Sequence, residues 1–572
     1  MKGAKIIIEC LIEQGVEYVF GYPGGAVLDI FDELYLAKDK ITQIMTSHEQ
    51  GAAHAADGYA RVSGKTGVVI STSGPGATNL VTGIATAYMD SIPLVAITGN
   101  VGMSYIGRDS FQEVDITGIT MPITKHNFIV KDIKDLAPTI RRAFKIASNG
   151  RPGPVLIDIP KNIQQAEYDF NNVEYGVQDT QLIDKNKKVD QNKLDNIVAI
   201  LKSSAKPLIY LGGGSVTSGA GEEVIKLAEA LNAPVACSLM GLSGFPSSHR
   251  LSAGMIGMHG NAGVMKAVNE CDALVVLGAR FSDRVMGNRD TFAPNAKIIH
   301  IDIDAAEIGK NICPHEHIVG DIKTVAAKLV PLFKKPRLTG KPKPHWASNI
   351  IKPDVDLKEI PYNPEKIEPQ VILKFIRKYS TPERVIVTDV GQHQMWTAQS
   401  YKFENPRTFV TSGGLGTMGF GMGAAIGSCF GLKKHIEELD IEAFEKTVLI
   451  TGDGSFHMNL NELATISKYK LPVKIFLFDN IALGMVRQWQ KLFYDRRFSS
   501  TTPDFPTRFD LLAKTFNIRF EALTASNAKE VIKRVLDNDN PTLIHCRLDR
   551  DENVLPMIPA GKGVADIITE FE

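Results

Sequence analysis

Short apolar runs alternate with stretches of helical spacing along most of the chain. Tyr18-Val19-Phe20, Gly67 to Thr72 and Pro93 to Gly99 have the length and β-branched content of buried strands. Between and around them, Lys2–Gln14, Gly51–Val62 and Leu80–Met89 read as helices. The strand-like runs end in small or polar loops, Gly21-Tyr22-Pro23-Gly24-Gly25 and Ser73-Gly74-Pro75-Gly76-Ala77-Thr78-Asn79. The alternation then recurs. Pro207–Leu211 leads into Gly212-Gly213-Gly214, Ala273–Leu277 into Gly278 through Arg284, and Ile298–Ile301 into Asp302-Ile303-Asp304. Further on, Val385–Thr388 leads towards Gln392-His393, Thr447–Ile450 into Gly452-Asp453-Gly454, and Val473–Phe478 into Asp479-Asn480. Such alternation predicts parallel sheets. About Gln164 to Asn192, and the Lys- and Pro-rich Phe333 to Gln370, read as linkers. The fold class expected is α/β, with three doubly wound parallel-sheet domains over residues 1–165, 190–335 and 370–552. Residues 553–572 form a tail, of which Val554–Lys562 reads as loop.

One stretch, Val448 to Trp489, carries the most chemistry. It reads as strand, glycine loop, helix and strand, with a helix expected to open at Asn459 as N-cap. Asp453 and Asn480 close its two strands, 27 residues apart (480 − 453), a spacing that suits one crossover. Ligands of open α/β sheets sit at that edge. A carboxylate and an amide oxygen are hard ligands suited to Mg²⁺, and a helix N-terminus beside them favours an anion. Gly-Asp-Gly alone is a common turn, and no Gly-Lys-Ser/Thr follows it as in a Walker loop. The combination on one crossover points to a cation bridging a phosphate-bearing ligand.

Composition narrows the class. Lys+Arg and Asp+Glu number 64 each, so no net field calls for nucleic acid or a membrane surface. No apolar run nears the ~20 residues of a membrane span, and no leader is visible. The six cysteines are scattered without a Cys-x-x-Cys pair, which suits a reduced, cytoplasmic compartment. Cys313, His315 and His317 lack a second ligand cluster at zinc spacing and are read as loop.

Gly452-Asp453-Gly454-Ser455 followed by Asp479-Asn480 resembles the diphosphate motif of thiamine-diphosphate enzymes. That family usually has Asn at the first of the last two positions; this chain has Asp479 and keeps Asn480. The resemblance implies metal ligation by Asp453, Asn480 and the carbonyl of Ala482. It assigns cofactor contacts to Gly452, Gly454, Ser455, Gly484, Met485, Gln392, His393 and Gly416, and puts Met418 beneath the bent cofactor. His48 through Arg61 resembles the family's activating-glutamate helix. Glu49 would hydrogen-bond the pyrimidine ring, beside Pro23-Gly24-Gly25, and favour the imino form that takes the reactive carbon's proton. In this family the pyrimidine and diphosphate ends are held by different subunits, which implies a homodimer or homotetramer with sites at the interface.

The middle domain narrows the resemblance to the acetolactate (acetohydroxyacid) synthases. Gly212-Gly213-Gly214, His259-Gly260, Gly278, Arg280, Arg284, Asp302, Asp321 and Arg151 are similar to their FAD site, with Ser282 replacing an Asp usual there. Lys161 would line the substrate entrance, and Phe111-Gln112 sits in a segment resembling the substrate-side loop. Trp489, in Leu483 through Gln490, would line the pocket of the second 2-keto acid. The resemblance implies decarboxylation of pyruvate and its ligation to pyruvate or 2-ketobutyrate, with thiamine diphosphate, Mg²⁺ and FAD. The three domains would then be pyrimidine-binding, FAD-binding and diphosphate-binding. The family often binds a small regulatory subunit, which this chain does not contain. The rival readings are a flavin-dependent 2-keto acid oxidase or another carboligase of the same fold, and a non-catalytic paralogue.

Overall fold

The structure, a computed structural model, describes residues 1–170, 189–333, 346–351, 367–436 and 441–570. Its first sheet holds β1 (Tyr18–Tyr22), β2 (Thr42–Met45), β3 (Gly67–Ser71), β4 (Leu94–Asn100), β5 (His126–Ile129) and β6 (Pro154–Pro160). They are parallel, in the order β2-β1-β3-β4-β6-β5. The second holds β7 (Pro207–Leu211), β8 (Val235–Cys237), β9 (Ser252–Met255), β10 (Ala273–Leu277), β11 (Lys297–Asp302) and β12 (Glu316–Val319), parallel in the order β12-β11-β10-β7-β8-β9. From β13 (Val385–Thr388) and β14 (Phe409–Val410) the chain passes through an antiparallel pair, β15 (Lys434–Ile436) and β16 (Ile441–Ala443). It continues into β17 (Thr447–Gly452), β18 (Val473–Asp479), β19 (Arg519–Leu523) and β20 (Thr542–Arg547). The third sheet is parallel, ordered β14-β13-β17-β18-β20-β19.

Leaving out the β15–β16 pair, the first and third sheets have the same strand order. The second has the order of dinucleotide-binding folds, read from its far edge. Every residue of β3, β4, β6, β17 and β18 is buried, because helices cover both faces of each sheet. This is why those strands read as unbroken apolar runs.

The first and third domains of one chain share a hydrophobic core that runs from Phe20 and Tyr59 to Phe420 and Ile475. Its seam is a pair of small-residue helices, α1 (Glu49–Ser63) and α3 (Phe420–Gly431). From Gly51 to Val62, α1 is buried all round. A Cβ on Gly58 would lie 2.3 Å from the Ala424 carbonyl oxygen, and one on Gly427 would lie 1.8 Å from that of Ala55. Only glycine allows the two backbones this close. Gly427→Ala is expected to cost about 1–3 kcal/mol or more in urea unfolding, through overpacking of this seam.

Several expectations from the sequence are corrected. The helix of the chemical stretch, α4 (Asp453–Asn459), opens on Asp453 itself, with Gly452 at its N-cap. A carboxylate is favoured in a first helical turn, and glycine frees the entry. Asn459 does stand at the N-cap of the turn Leu460–Glu462 that leads into the helix Leu463–Lys468, but its side chain makes no capping bond; its amide donates to the Gly419 carbonyl at 2.6 Å. Gln164, expected in a linker, is buried in the short helix Lys161–Gln165 and donates to the Ala26 and Ile159 carbonyls. The middle of that linker lies outside the described residues. So does most of the second, but within it Trp346–Ile350 is helical, and the Trp346 indole donates to the Pro207 carbonyl at 2.9 Å. The tail is anchored: Val554, Met557 and Ile558 are buried, and the Ile558 amide donates to Met258 of the second domain. Among the described residues no helix is long and apolar enough to cross a membrane.

Candidate active site

Two clusters form at the carboxyl edges of the first and third sheets, and the physics of α/β sheets puts ligands there. In the third, β13 and β17 flank the point where strand order reverses. Gln392-His393 follows β13, and Gly452-Asp453-Gly454 follows β17. The Asn480 amide donates to Gln392 Oε1 at 3.2 Å, and Asn480 Oδ1 receives the Ala482 amide at 3.2 Å. A Cβ on Gly484 would lie 1.9 Å from Gln392 Oε1 and 2.8 Å from Asn480 Nδ2, so any side chain here would displace the Gln392 and Asn480 amides. A Cβ on Gly454 would meet Leu483 at 2.7 Å and the Met418 methyl at 3.5 Å. The Ser455 hydroxyl donates to the Val390 carbonyl at 3.0 Å. Met485, the first turn's second residue in α5 (Gly484–Phe493), packs on the core. Gly416, with φ +71°, shapes the loop before Met418. Gln392, Asn480 and Gly484 thus meet one another, as do Gly454 and Met418, at the carboxyl edge of the third sheet. An open cleft of about 480 Å³ adjoins them, lined by Gly454, His457, Met458, Leu483 and Phe505.

The electrostatics of that edge favour a cation. Asp453 is 7% exposed and makes no ion pair among the described residues. Burial, with Asp479 nearby, pushes its carboxyl up to about 7. A divalent ion would supply the missing positive charge. Among the described residues no three His, Cys, Asp or Glu side chains converge as a metal cage. The Asp453 carboxylate and the Asn480 amide oxygen are hard oxygen groups of the kind that suits Mg²⁺. Burial lowers His393 to about 3, so its ring is neutral, and its buried Nε2 has no partner. Asp479 does not add a free charge. Burial opposes its ionisation, but His545 at 2.7 Å and Arg547 at 2.9 Å hold its carboxyl below the usual range. Its Oδ1 also receives the Ile481 amide at 3.1 Å, beside Asn480.

The first-domain cluster forms at the edge of its own sheet. Glu49 opens α1, and its Oε2 receives the Asn79 amide at 3.0 Å. A Cβ on Gly24 would lie 2.5 Å from the Thr72 side chain, which packs Pro23-Gly24-Gly25 against the loop after β3. The Lys161 ammonium donates to the Gly25 carbonyl at 3.0 Å. Gln112 has φ +59° and lies against Gly74, while Phe111 is 87% exposed. Among the described residues no hydrogen bond joins Glu49 to Asp453, Asn480 or Met418. Sequence reasoning missed Asn79 as the partner of Glu49. It also missed Glu462, whose buried carboxylate receives the Ser47 amide just before α1. Neither sits in a motif of its own.

In the second domain, β7 and β10 flank the reversal of strand order. A Cβ on Gly212 would lie 2.1 Å from the Gly278 carbonyl oxygen, and the Gly214 amide donates to the same oxygen at 3.1 Å. Gly213 abuts Met240, and a Cβ on Gly260 would meet the Met255 carbonyl at 2.6 Å. His259 is buried with Nδ1 unpartnered. These features fit a dinucleotide at the sheet edge. Other expected residues are engaged within the protein. Arg151 is paired with Glu307 at 2.7 Å and Asp304 at 3.3 Å. Asp302 receives the Asp304 amide, and burial pushes its carboxyl up to about 6. Asp321 caps a helix through the Thr324 amide. The Arg280 carbonyl receives the Asn311 amide. Arg284 stacks its guanidinium 6.0 Å from the Trp489 ring, which joins the second and third domains.

Three family profiles match the chain. They describe a thiamine pyrophosphate enzyme N-terminal TPP binding domain at residues 1–119, a central domain at 194–329 and a C-terminal TPP binding domain at 389–546. Among curated relatives, the probable acetolactate synthase large subunit of Methanocaldococcus jannaschii is 44% identical over 576 residues, spanning 99% of this chain and 95% of that protein. The acetolactate synthase large subunit of Cyanidium caldarium is 43% identical over 580 residues, spanning 99% and 96%. The acetolactate synthase of Arthrospira platensis is 41% identical over 578 residues, spanning 99% and 97%. With three α/β domains, both cofactor-type clusters and near end-to-end similarity, the chain belongs to the acetolactate synthase large-subunit family of thiamine pyrophosphate enzymes.

Proposed function

We propose that the protein decarboxylates pyruvate and joins the two-carbon unit to a second 2-keto acid. The products are 2-acetolactate from pyruvate and 2-aceto-2-hydroxybutyrate from 2-ketobutyrate, in branched-chain amino acid biosynthesis. The observation that carries this reading is the meeting of Asp453, Asn480, Gly454 and Met418 at one sheet edge. Thiamine diphosphate, when bound, supplies a nucleophilic carbon and an electron sink. Asp453, Asn480 and the Ala482 carbonyl would hold Mg²⁺, and α4 would turn its N-terminus to the diphosphate. Met418 would support the cofactor from below. Glu49, steadied by Asn79, would hold and return the proton at the pyrimidine ring. Lys161 and the exposed Phe111-Gln112 loop would line the approach of the keto acid. Neither half is complete in one chain, so a second copy supplies the other, in a homodimer or homotetramer.

FAD is proposed for the second domain, supported by its strand order and its glycine contacts. Gly212, Gly213, Gly214, Gly260 and Gly278 would let the dinucleotide approach the backbone. Arg151, His259, Arg280, Arg284, Asp302 and Asp321 would surround it. The reaction needs no net redox from a flavin, which leaves FAD a structural role. A small regulatory subunit is a proposed partner, since relatives are named large subunits.

The test is acetolactate formation from pyruvate with thiamine diphosphate, Mg²⁺ and FAD under anaerobic conditions, with and without 2-ketobutyrate. Activity without oxygen supports the reading. A requirement for oxygen or a quinone would favour the flavin-dependent oxidase and sink it. Trp489→Leu is expected to lower the preference for 2-ketobutyrate over pyruvate by about tenfold, read from product ratios in mixed-substrate assays.

A further inference from the structure

Two helices of the first domain run from the Glu49 cluster to the wall of the third domain. One is α1, with Glu49 at its start and Arg61 in its last turn, about 18 Å apart at 1.5 Å per residue. The other is α2 (Val81–Asp90), which ends on Asp90 and begins just after Asn79, the partner of Glu49. At their far ends they meet the loop that carries Met418. The amides of Gly413 and Gly414 donate to the Asp90 carboxylate at 3.1 and 2.7 Å. Arg61 donates to the Thr411 carbonyl at 2.8 Å and to Asp90 at 2.9 Å, and pairs with Asp57. The Thr86 and Thr417 hydroxyls are 2.7 Å apart, one residue before Met418.

These charges are costly to keep unless they do something. The side chains of Asp57, Arg61 and Asp90 are 0%, 6% and 0% exposed. Buried ions persist only where partners satisfy them, and a satisfied network is rigid. The loop Gly413-Gly414-Leu415-Gly416 has three glycines and an exposed leucine, so its fixed contacts are made close to the backbone, by Gly413 on Met240 of the second domain and by Gly414 on Met89 and Asp90 of the first. What fixes it from the first-domain side is this network.

We propose that Asp57, Arg61 and Asp90, with Thr86, are positioning residues: through them the first domain sets the Met418 loop and so the affinity of the third domain for thiamine diphosphate. The proposal rests on the role given to Met418 above. In the dimer, Glu49 and Met418 of one chain serve different centres, so the same two helices link those centres.

The test measures cofactor binding without turnover. Thiamine diphosphate is titrated with Mg²⁺ into the full-length FAD-loaded protein, by calorimetry and by quenching of tryptophan fluorescence. Asp90→Asn keeps the shape but leaves one acceptor oxygen for two amides and no charge for Arg61. It is expected to raise the cofactor Kd about tenfold, and Thr86→Val about threefold. Met418→Ala combined with Asp90→Asn should bind no more than about twofold worse than Met418→Ala alone, because both act through one loop. Wild-type Kd in both Asp90→Asn and Thr86→Val would reduce the network to a fold-stabilising role and overturn the proposal. So would losses that multiply in the double variant. If Asp90→Asn does not fold, Thr86→Val with and without Met418→Ala decides by the same criteria. A wild-type protein that binds the cofactor but forms no acetolactate defeats the functional reading alone, and the binding comparison still stands.

Discussion

Glu49→Gln is expected to lower acetolactate formation by about 10²-fold or more, because it removes the carboxyl proposed to act at the pyrimidine ring while keeping the side chain's shape. The Asn79 amide can still meet the Gln carbonyl, so the helix start should survive. The measurement is steady-state turnover with saturating pyruvate and cofactors, beside a thermal melt to show an intact fold. Turnover within about threefold of wild type would remove Glu49 from the proton relay and leave it as a carboxylate at a helix N-terminus.

Asp453→Asn has the next largest expected effect, and its two readouts move in opposite directions. Half-saturation by Mg²⁺ should rise by about tenfold to a hundredfold, because a neutral amide replaces the one charged group among the proposed ligands. In the cofactor-free protein, the same change removes a buried carboxylate that has no ion pair among the described residues. Its melting temperature should therefore equal or exceed that of wild type. Wild type should gain stability when thiamine diphosphate and Mg²⁺ are added, and Asp453→Asn should gain little. A variant that loses stability without cofactor, yet binds Mg²⁺ normally, would make Asp453 a structural residue.

Much of the architecture was legible in the chain. Unbroken apolar runs marked the strands of three parallel sheets, because helices bury both faces of each. The glycine turns were legible for a related reason. Gly484, Gly212 and Gly427 sit where a Cβ would strike a neighbouring atom at 2.1 Å or less. The helix Asp453–Asn459, which precedes the helix expected after Asn459, was missed, since capping by glycine leaves no side-chain signal. Trp346 inside an expected linker was missed because its packing partner, Pro207, is 139 residues away.

The sequence by itself determined the local chemistry: a carboxylate and an amide closing two strands of one crossover, a glutamate at a helix start, and three runs of α/β alternation. These are short-range properties, set by side-chain period and by residues a few places apart. Only the tertiary structure decided how the pieces meet. It gave the second sheet a dinucleotide-type strand order, put Glu49 and Asp453 at the edges of different sheets, and brought Asp90 to Gly413 across 323 residues. No period or motif encodes such contacts, since they exist only once two cores pack through α1 and α3 and the buried charges must find partners there.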